Sequence, residues 1–145
     1  MQVRRATDTD IPSVLALERL VFSDAWGERD LREHLDCVHL SFFVCERDGE
    51  VLGYLLGSHI PPEGEIFRVA THPAHRKSGI GDTLSRAFLD TCDVAFLEVR
   101  RSNLAARALY EKLGLSLTGE RKKYYKDPTE DECLYTLVKN EDHRL

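Results

Sequence analysis

Residues 76–81 read Arg76-Lys77-Ser78-Gly79-Ile80-Gly81, RKSGIG, and their flanks decide the fold. Glu65–Thr71 reads as a strand on the N-terminal side, followed by Pro73. On the C-terminal side Ile80, Leu84, Ala87 and Phe88 recur at helical spacing, marking a helix that should end near Thr91–Asp93. Val94–Val99, VAFLEV, is then a short apolar run of the kind central strands carry. Strand, glycine turn, helix and strand in that order predict a parallel strand pair with the helix packed on the sheet.

Working outward, Val3–Ala6 reads as a first strand. Thr7 or Asp8 can cap a helix reaching Val21, with Pro12 tolerated near its start and Ile11, Val14, Leu15 and Leu17 on its apolar face. Phe22–Gly27 is a loop. A second helix, near Glu28–Cys37, has Leu31 and Leu35 four apart. Ser41–Arg47 and Val51–Ile60 form a hairpin about Asp48-Gly49, and Pro61-Pro62 ends it. After Val99 a helix over Asn103–Leu113 closes at Gly114. Two last strands, about Leu115–Tyr125 and Glu132–Lys139, flank a polar tip at Lys126–Asp131. No repeat or linker interrupts the chain. One α/β domain over residues 1–145 is expected, its mixed sheet covered by helices on both faces.

The 145 residues are enough to bury a real core. The 42% apolar and 31% charged fractions are ordinary for a globular chain. The net charge of −5 argues against general nucleic-acid binding, which needs a basic surface. It is compatible with a cationic partner. No apolar run could span a membrane and the N-terminus has no signal-peptide core, so a cytoplasmic protein without membrane attachment is expected. Cys37, Cys45, Cys92 and Cys133 show no zinc spacing, so no metal is expected and buried reduced thiols are.

Backbone N–H groups at a helix start lack intrahelical partners, and the helix dipole adds positive potential there. A glycine turn lets several of them converge on a phosphate, and Arg76 and Lys77 add charge. An ordinary loop-to-helix turn has the same local sequence. The stretch matches neither the Walker nor the dinucleotide pattern. Glu98 is a carboxylate in an apolar strand, which needs a polar cleft or a partner unless its face is open to solvent. It suits a general base for a protonated amine. Asn103 and Tyr110 are nearly two helical turns apart and share a face, roughly 10 Å apart along the axis. Asn103 also fits a helix N-cap, and Tyr110 fits core packing.

RKSGIG together with Asn103, Ala106, Leu109, Tyr110, Leu113, Gly114 and Leu115 resembles the GNAT superfamily of N-acetyltransferases over nearly the whole chain. The blocks WGERDL (26–31), LEVRRSNLAARALYEKLG (97–114) and RKKYYKDPTEDE (121–132) are similar to the RimI-type ribosomal-protein-alanine N-acetyltransferases. The resemblance implies a mostly antiparallel mixed sheet in which the strands holding Val69 and Glu98 are parallel and splay apart. It implies acetyl-CoA as cosubstrate, its pyrophosphate on Arg76, Lys77, Ser78, Gly79, Ile80, Gly81 and Asp82. It implies that Val69, Ala70 and Thr71 pair with the pantetheine amides, that Asn103 bonds to the same arm, that Glu98 is the base, and that Tyr110 protonates the CoA thiolate. Direct attack without an acyl-enzyme follows.

The implied acceptor is a protein N-terminus, possibly of a ribosomal protein, and a monomer is the plain assumption. Trp26, Tyr124 and Tyr125 are candidate walls of the acceptor groove; Trp26 is equally a plug over the core. Glu28, Asp30, Glu33, Asp127, Glu130 and Asp131 are either solvated faces or attractors of a basic peptide. The chain departs from the RimI-type pattern at Ala25, Gly27, Arg68 and Lys122-Lys123, which leaves the acceptor less constrained than the cofactor. A small amine such as a polyamine or aminoglycoside is the alternative acceptor. A non-catalytic CoA-binding module is the alternative class.

Overall fold

The computed structural model describes residues 1–126 and 129–139, so Asp127 lies outside the described residues. The chain forms β1 (Gln2–Arg5), a 3-10 turn (Asp8–Asp10) running into α1 (Ile11–Val21), α2 (Glu28–Asp36), β2 (Leu40–Arg47), β3 (Glu50–Ile60) and β4 (Glu63–Thr71). A second 3-10 turn (Pro73–His75), α3 (Ile80–Leu89), β5 (Val94–Arg100), α4 (Leu104–Lys112), β6 (Ser116–Tyr125) and β7 (Glu130–Val138) follow. This is the element order read from the sequence.

Most boundary differences have local causes. Arg4 grips Asp10 with two bonds of 2.8 and 2.9 Å, and the same carboxylate accepts the Thr7 N–H at 2.8 Å. The Arg4 guanidinium holds Asp10 below the usual carboxylate range. Thr7–Asp10 is thus fixed as a tight turn, and the α-helix begins at Ile11. At the far end of α3, the N–H groups of Asp93 and Val94 both reach the Pro62 carbonyl, at 3.0 and 3.1 Å. α3 accordingly ends at Leu89, before the expected Thr91–Asp93, and β5 begins at Val94 as expected. Cys45, Cys92 and Cys133 are buried free thiols as expected, but Cys37 is exposed, because it caps α2 where the chain leaves the helix.

The seven strands form one sheet in the order β1-β2-β3-β4-β5-β7-β6. Only β4 and β5 run parallel; every other neighbouring pair is antiparallel. Helices cover both faces. α1 and α2 pack Ile11, Val14, Leu17 and Leu31 against Phe42, Val44, Tyr54 and Leu56. α3 and α4 pack Ile80, Leu84, Phe88 and Tyr110 against Leu55, Ile66, Leu97 and Tyr135 on the other side. No helix among the described residues is long and apolar enough to cross a membrane.

The parallel pair is short. Its register runs from Glu63↔Val94 to Ile66↔Leu97 and stops. At that point β4 has a bulge: Leu56 faces Arg68 and Gly57 faces Ile66, which leaves Phe67 without a partner on β3. A bulge bends a strand and sharpens its local twist. Here it turns β4 away from β5 immediately after their last pair. Beyond it, β4 still pairs with β3 at Val69, Ala70 and Thr71, while Glu98–Arg100 pair only with β7. The side of β4 that would face β5 is an open edge.

Gly57 makes this bulge possible. A Cβ there would lie 2.4 Å from the Glu65 carbonyl oxygen, a backbone atom that cannot swing aside. Gly57→Ala should therefore cost about 1–3 kcal/mol of stability, the range for overpacking a close contact. Equilibrium unfolding in urea checks this; an unchanged midpoint would mean that the bulge absorbs the methyl group.

Candidate functional site

The splay opens a cleft of about 640 Å³ at the seam between β4 and β5. Its walls include Val69 of β4, Glu98 of β5, and Asn103, Ala106 and Tyr110 at three- and four-residue spacing along one face of α4 and its N-cap. Asn103 caps α4, its Oδ1 accepting the Ala106 N–H at 3.2 Å. The two sequence readings of Asn103 are therefore compatible, since its amide nitrogen takes no part in the cap. Tyr110 is 6% exposed. Burial raises its phenol well above the ordinary value, so it is protonated at neutral pH.

The RKSGIG turn lies at the N-terminus of α3. Lys77 and Gly79 both adopt left-handed backbone, with φ of 66° and 83°. A Cβ on Gly79 would project into open space. Glycine is thus favoured there by its dihedral and leaves an unblocked approach to the helix end. The first intrahelical bond of α3 is from the Thr83 N–H to the Gly79 carbonyl, at 2.9 Å. The N–H groups of Ile80, Gly81 and Asp82 precede the ladder, and the flanking Arg76, Lys77 and Ser78 are exposed. The Asp82 carboxylate bonds to Arg86 at 2.5 Å and lies 3.2 Å from Lys112. These cations hold it below the usual range and offset its charge, so Asp82 has only its backbone to offer an anion. Open N–H groups at a helix start beside an open strand edge fit a pyrophosphate with an extended amide arm.

Glu98 presents its carboxylate to the cleft with 35% of the side chain exposed. Behind it sits a carboxylate the sequence reading missed. Glu132 of β7 is fully buried. It stands opposite Arg100 of β5 and Arg121 of β6, so a cation flanks it on each neighbouring strand. Arg121 lies 3.3 Å from Glu132 and 3.7 Å from Glu98. Burial, a hydrogen bond to Glu98 and the Glu98 charge push the Glu132 carboxyl up to about 7 against the pull of Arg121. Glu65 is also raised, first by burial and then by Glu98.

Of the three candidate groove aromatics, Tyr125 lines the cleft, under the Arg100 guanidinium at 4.3 Å. Burial pushes its phenol up to about 12. Tyr124 packs edge-on to Tyr125 and is 48% exposed. Trp26 packs against His34 and Phe67 instead of lining the cleft. The acids Glu28, Asp30 and Glu33 lie on α2. Glu130 accepts the Ser102 N–H from the β5–α4 connection, and Asp131 is tied within the hairpin to Lys122 and Lys123.

The loop that carries Trp26 is anchored by a second buried carboxylate. Glu18 of α1 has no exposed surface and accepts three bonds: from the Tyr54 hydroxyl at 2.6 Å, the Arg68 guanidinium at 2.8 Å and the Trp26 N–H at 2.8 Å. Arg68 also reaches Asp24 at 3.1 Å, and its guanidinium lies 4.2 Å from the Phe22 ring and 4.7 Å from the Trp26 ring. Arg68, a departure at the sequence level, is thus the partner of Glu18 and ties the α1–α2 loop to β4 next to the bulge.

Comparison with known proteins adds to this geometry. The acetyltransferase (GNAT) family model matches residues 11–115. The N-alpha-acetyltransferase RimI of Mycobacterium tuberculosis is 33% identical over 128 residues, covering 83% of this chain and 81% of that protein. The ribosomal protein bS18-alanine N-acetyltransferase of Escherichia coli is 29% identical over 128 residues, covering 85% and 84%. The crystal structure of the Escherichia coli ribosomal-protein-S18-alanine N-acetyltransferase matches with a TM-score of 0.85 at 26% identity, over 94% of this chain and 92% of that one.

Removing one partner of a buried ion pair leaves an uncompensated charge and costs about 3–5 kcal/mol. Arg68→Ala should fall in that range. Trp26 is the single tryptophan, so its fluorescence reports the loop directly. A red-shifted emission with lowered stability is the expected result; a variant with unchanged emission would show that the loop is held without Arg68.

Proposed function

The chain belongs to the acetyltransferase (GNAT) family, and we propose that its acceptor is the N-terminal α-amine of a protein, of the ribosomal-protein-alanine type. It is an acetyl-CoA-dependent N-acetyltransferase, similar to RimI-type enzymes. The observation that carries the finer reading is that Glu98 and Tyr110 line one cleft, at the seam where β4 leaves β5.

Acetyl-CoA supplies the thioester. In our reading the N–H groups of the RKSGIG turn hold its pyrophosphate, and the open edge of β4 at Val69–Thr71 hydrogen-bonds the pantetheine amides. A β4 N–H also favours the negative charge that develops on the thioester oxygen. Glu98 accepts a proton from the incoming ammonium and frees the lone pair for attack. Tyr110, kept protonated by its burial, donates its hydroxyl proton to the departing sulfur. The nitrogen loses two protons overall: one leaves to solvent by way of Glu98, and the other is balanced by the new S–H once Tyr110 is reprotonated. No protein nucleophile is needed. Tyr125 borders the acceptor end of the cleft, with Asp24 on the facing loop.

Acetyl transfer to a peptide panel, read by mass spectrometry, tests the acceptor. The peptides differ only in residue one, with free or blocked α-amines, and a polyamine is included. Modification of free α-amines with a bias for alanine or another small residue is expected. Transfer to the polyamine alone would move the enzyme to small-molecule acceptors. Glu98→Gln should lower kcat by about 10²-fold or more and alter the pH–rate profile, with acetyl-CoA binding little changed. An unaltered profile removes Glu98 from the base role. Tyr110→Phe should lower kcat more than it weakens acetyl-CoA binding; equal losses would make Tyr110 a binding residue.

A further inference from the structure

Glu132 has no role in the reaction as described, yet it occupies a costly position. Its side chain is fully buried, and neither carboxyl oxygen meets a nitrogen or hydroxyl donor in hydrogen-bond geometry among the described residues. A buried carboxylate normally gathers donors, as Glu18 does in this same chain. The nearest cation, Arg121, is shared with Glu98. Arg100, opposite on β5, sends its guanidinium over Tyr125 and toward Glu130 at 3.5 Å. The groups facing Glu132 are therefore Glu98 and Arg100 on β5, Arg121 and Tyr125 on β6, and Glu65 on β4. Arg121 therefore bridges two carboxyls, Glu98 and Glu132, and the second is fully buried with no hydrogen-bond donor on either oxygen among the described residues. Two carboxyls held against one cation repel less when one of them carries a proton. The donor that Glu132 lacks is a proton.

We propose that Glu132 is a positioning residue for Glu98: the two carboxyls hold one proton between them beneath Arg121, and Glu132 thereby sets the orientation and basicity of the group at the cleft wall. Glu132 does not line the cleft and touches no substrate. With the proton in place, Glu98 accepts a hydrogen bond and is a weaker base. When the pair loses it, the neighbouring charge makes Glu98 a stronger base. This inference rests on Glu98 as the proton acceptor, but its first test does not.

That test is stability against pH. The folded chain keeps on Glu132 a proton that the unfolded chain releases near the ordinary glutamate value of 4.5, whereas the folded value is about 7. The folded state binds more protons in that window, so stability contributed by the group is complete below it and is lost as pH rises through it. Glu132→Gln removes this term. The ratio of unfolding constants, wild type over variant, should rise by about tenfold or more between pH 5 and pH 8. A constant ratio overturns the proposal. Glu98→Gln provides a second arm if Glu132→Gln does not fold: it should shrink the same pH-dependent loss, and an unchanged loss overturns the shared proton.

The positioning role has its own readout. Wild-type kcat/KM should rise through the titration of the pair and again through that of the acceptor amine. Glu132→Gln should rise through the second alone. A variant profile matching wild type, even with the stability result in hand, would make Glu132 purely structural. Failure of the acceptor assignment would leave the stability result untouched, so the two ideas fail separately.

Discussion

The parting of β4 and β5 is the constraint from which the site follows. Parallel strands in a closed sheet satisfy each other's backbone groups, and an opening between them exposes N–H and C=O groups that need partners. The Phe67 bulge confines that exposure to the end of β4 beyond Ile66. Below the opening the sheet is intact; above it an edge is left for an extended chain of amides. The same opening sets Glu98 and Tyr110 on a common wall, one from β5 and one from α4. Gly57 permits the whole arrangement from the neighbouring strand, without touching the cleft.

Two buried glutamates show how one energetic problem receives two solutions. Glu18 collects a hydroxyl, a guanidinium and a backbone N–H, and so serves as a rigid joint between α1, β3, β4 and the α1–α2 loop. Glu132 has the Arg121 guanidinium at 3.3 Å but no donor in hydrogen-bond geometry among the described residues, and its carboxyl is pushed up. A carboxylate saturated with donors holds its neighbours in one geometry. A group starved of donors remains poised to exchange a proton. Their positions fit the difference: Glu18 lies under a loop, and Glu132 lies behind the cleft wall.

The element order and the parallel pair were legible because they rest on local signals: helical spacing in 80–88, the VAFLEV run and the glycines at turns. The open strand edge was legible only through the resemblance, since nothing local in EIFRVAT marks Phe67 as a bulge; that depends on how β3 and β5 both meet β4. Glu98 stood out as an acid in an apolar strand. Glu132 carries the same signal in ECLYTLV, but lying at the margin of its apolar run it reads as the end of a polar tip. Glu18 falls four residues after Val14, on the apolar face of α1, and that spacing could have marked it as buried. Its partner Arg68 is fifty residues away, and no sequence pattern joins them. Trp26 illustrates the limit for aromatics. Its place in a polar loop is clear from sequence, whereas the choice between cleft and core is made by Arg68, Phe67 and His34 together.

The order of strands also bears on how such a chain can diverge. β4 and β5 lie in the interior of the sheet with neighbours on both sides, and β4 gives residues to both cores while β5 gives residues to one. β6 is one of the two edge strands, attached through β7 alone, and its bulge sets Lys122, Lys123 and Tyr124 against the single residue Asp131. Residues gained or lost at that bulge need no repacking elsewhere, because an edge strand has one neighbour to accommodate. Sequence change at that edge therefore leaves the β4–β5 cleft undisturbed. The sheet has a constrained middle and a permissive rim.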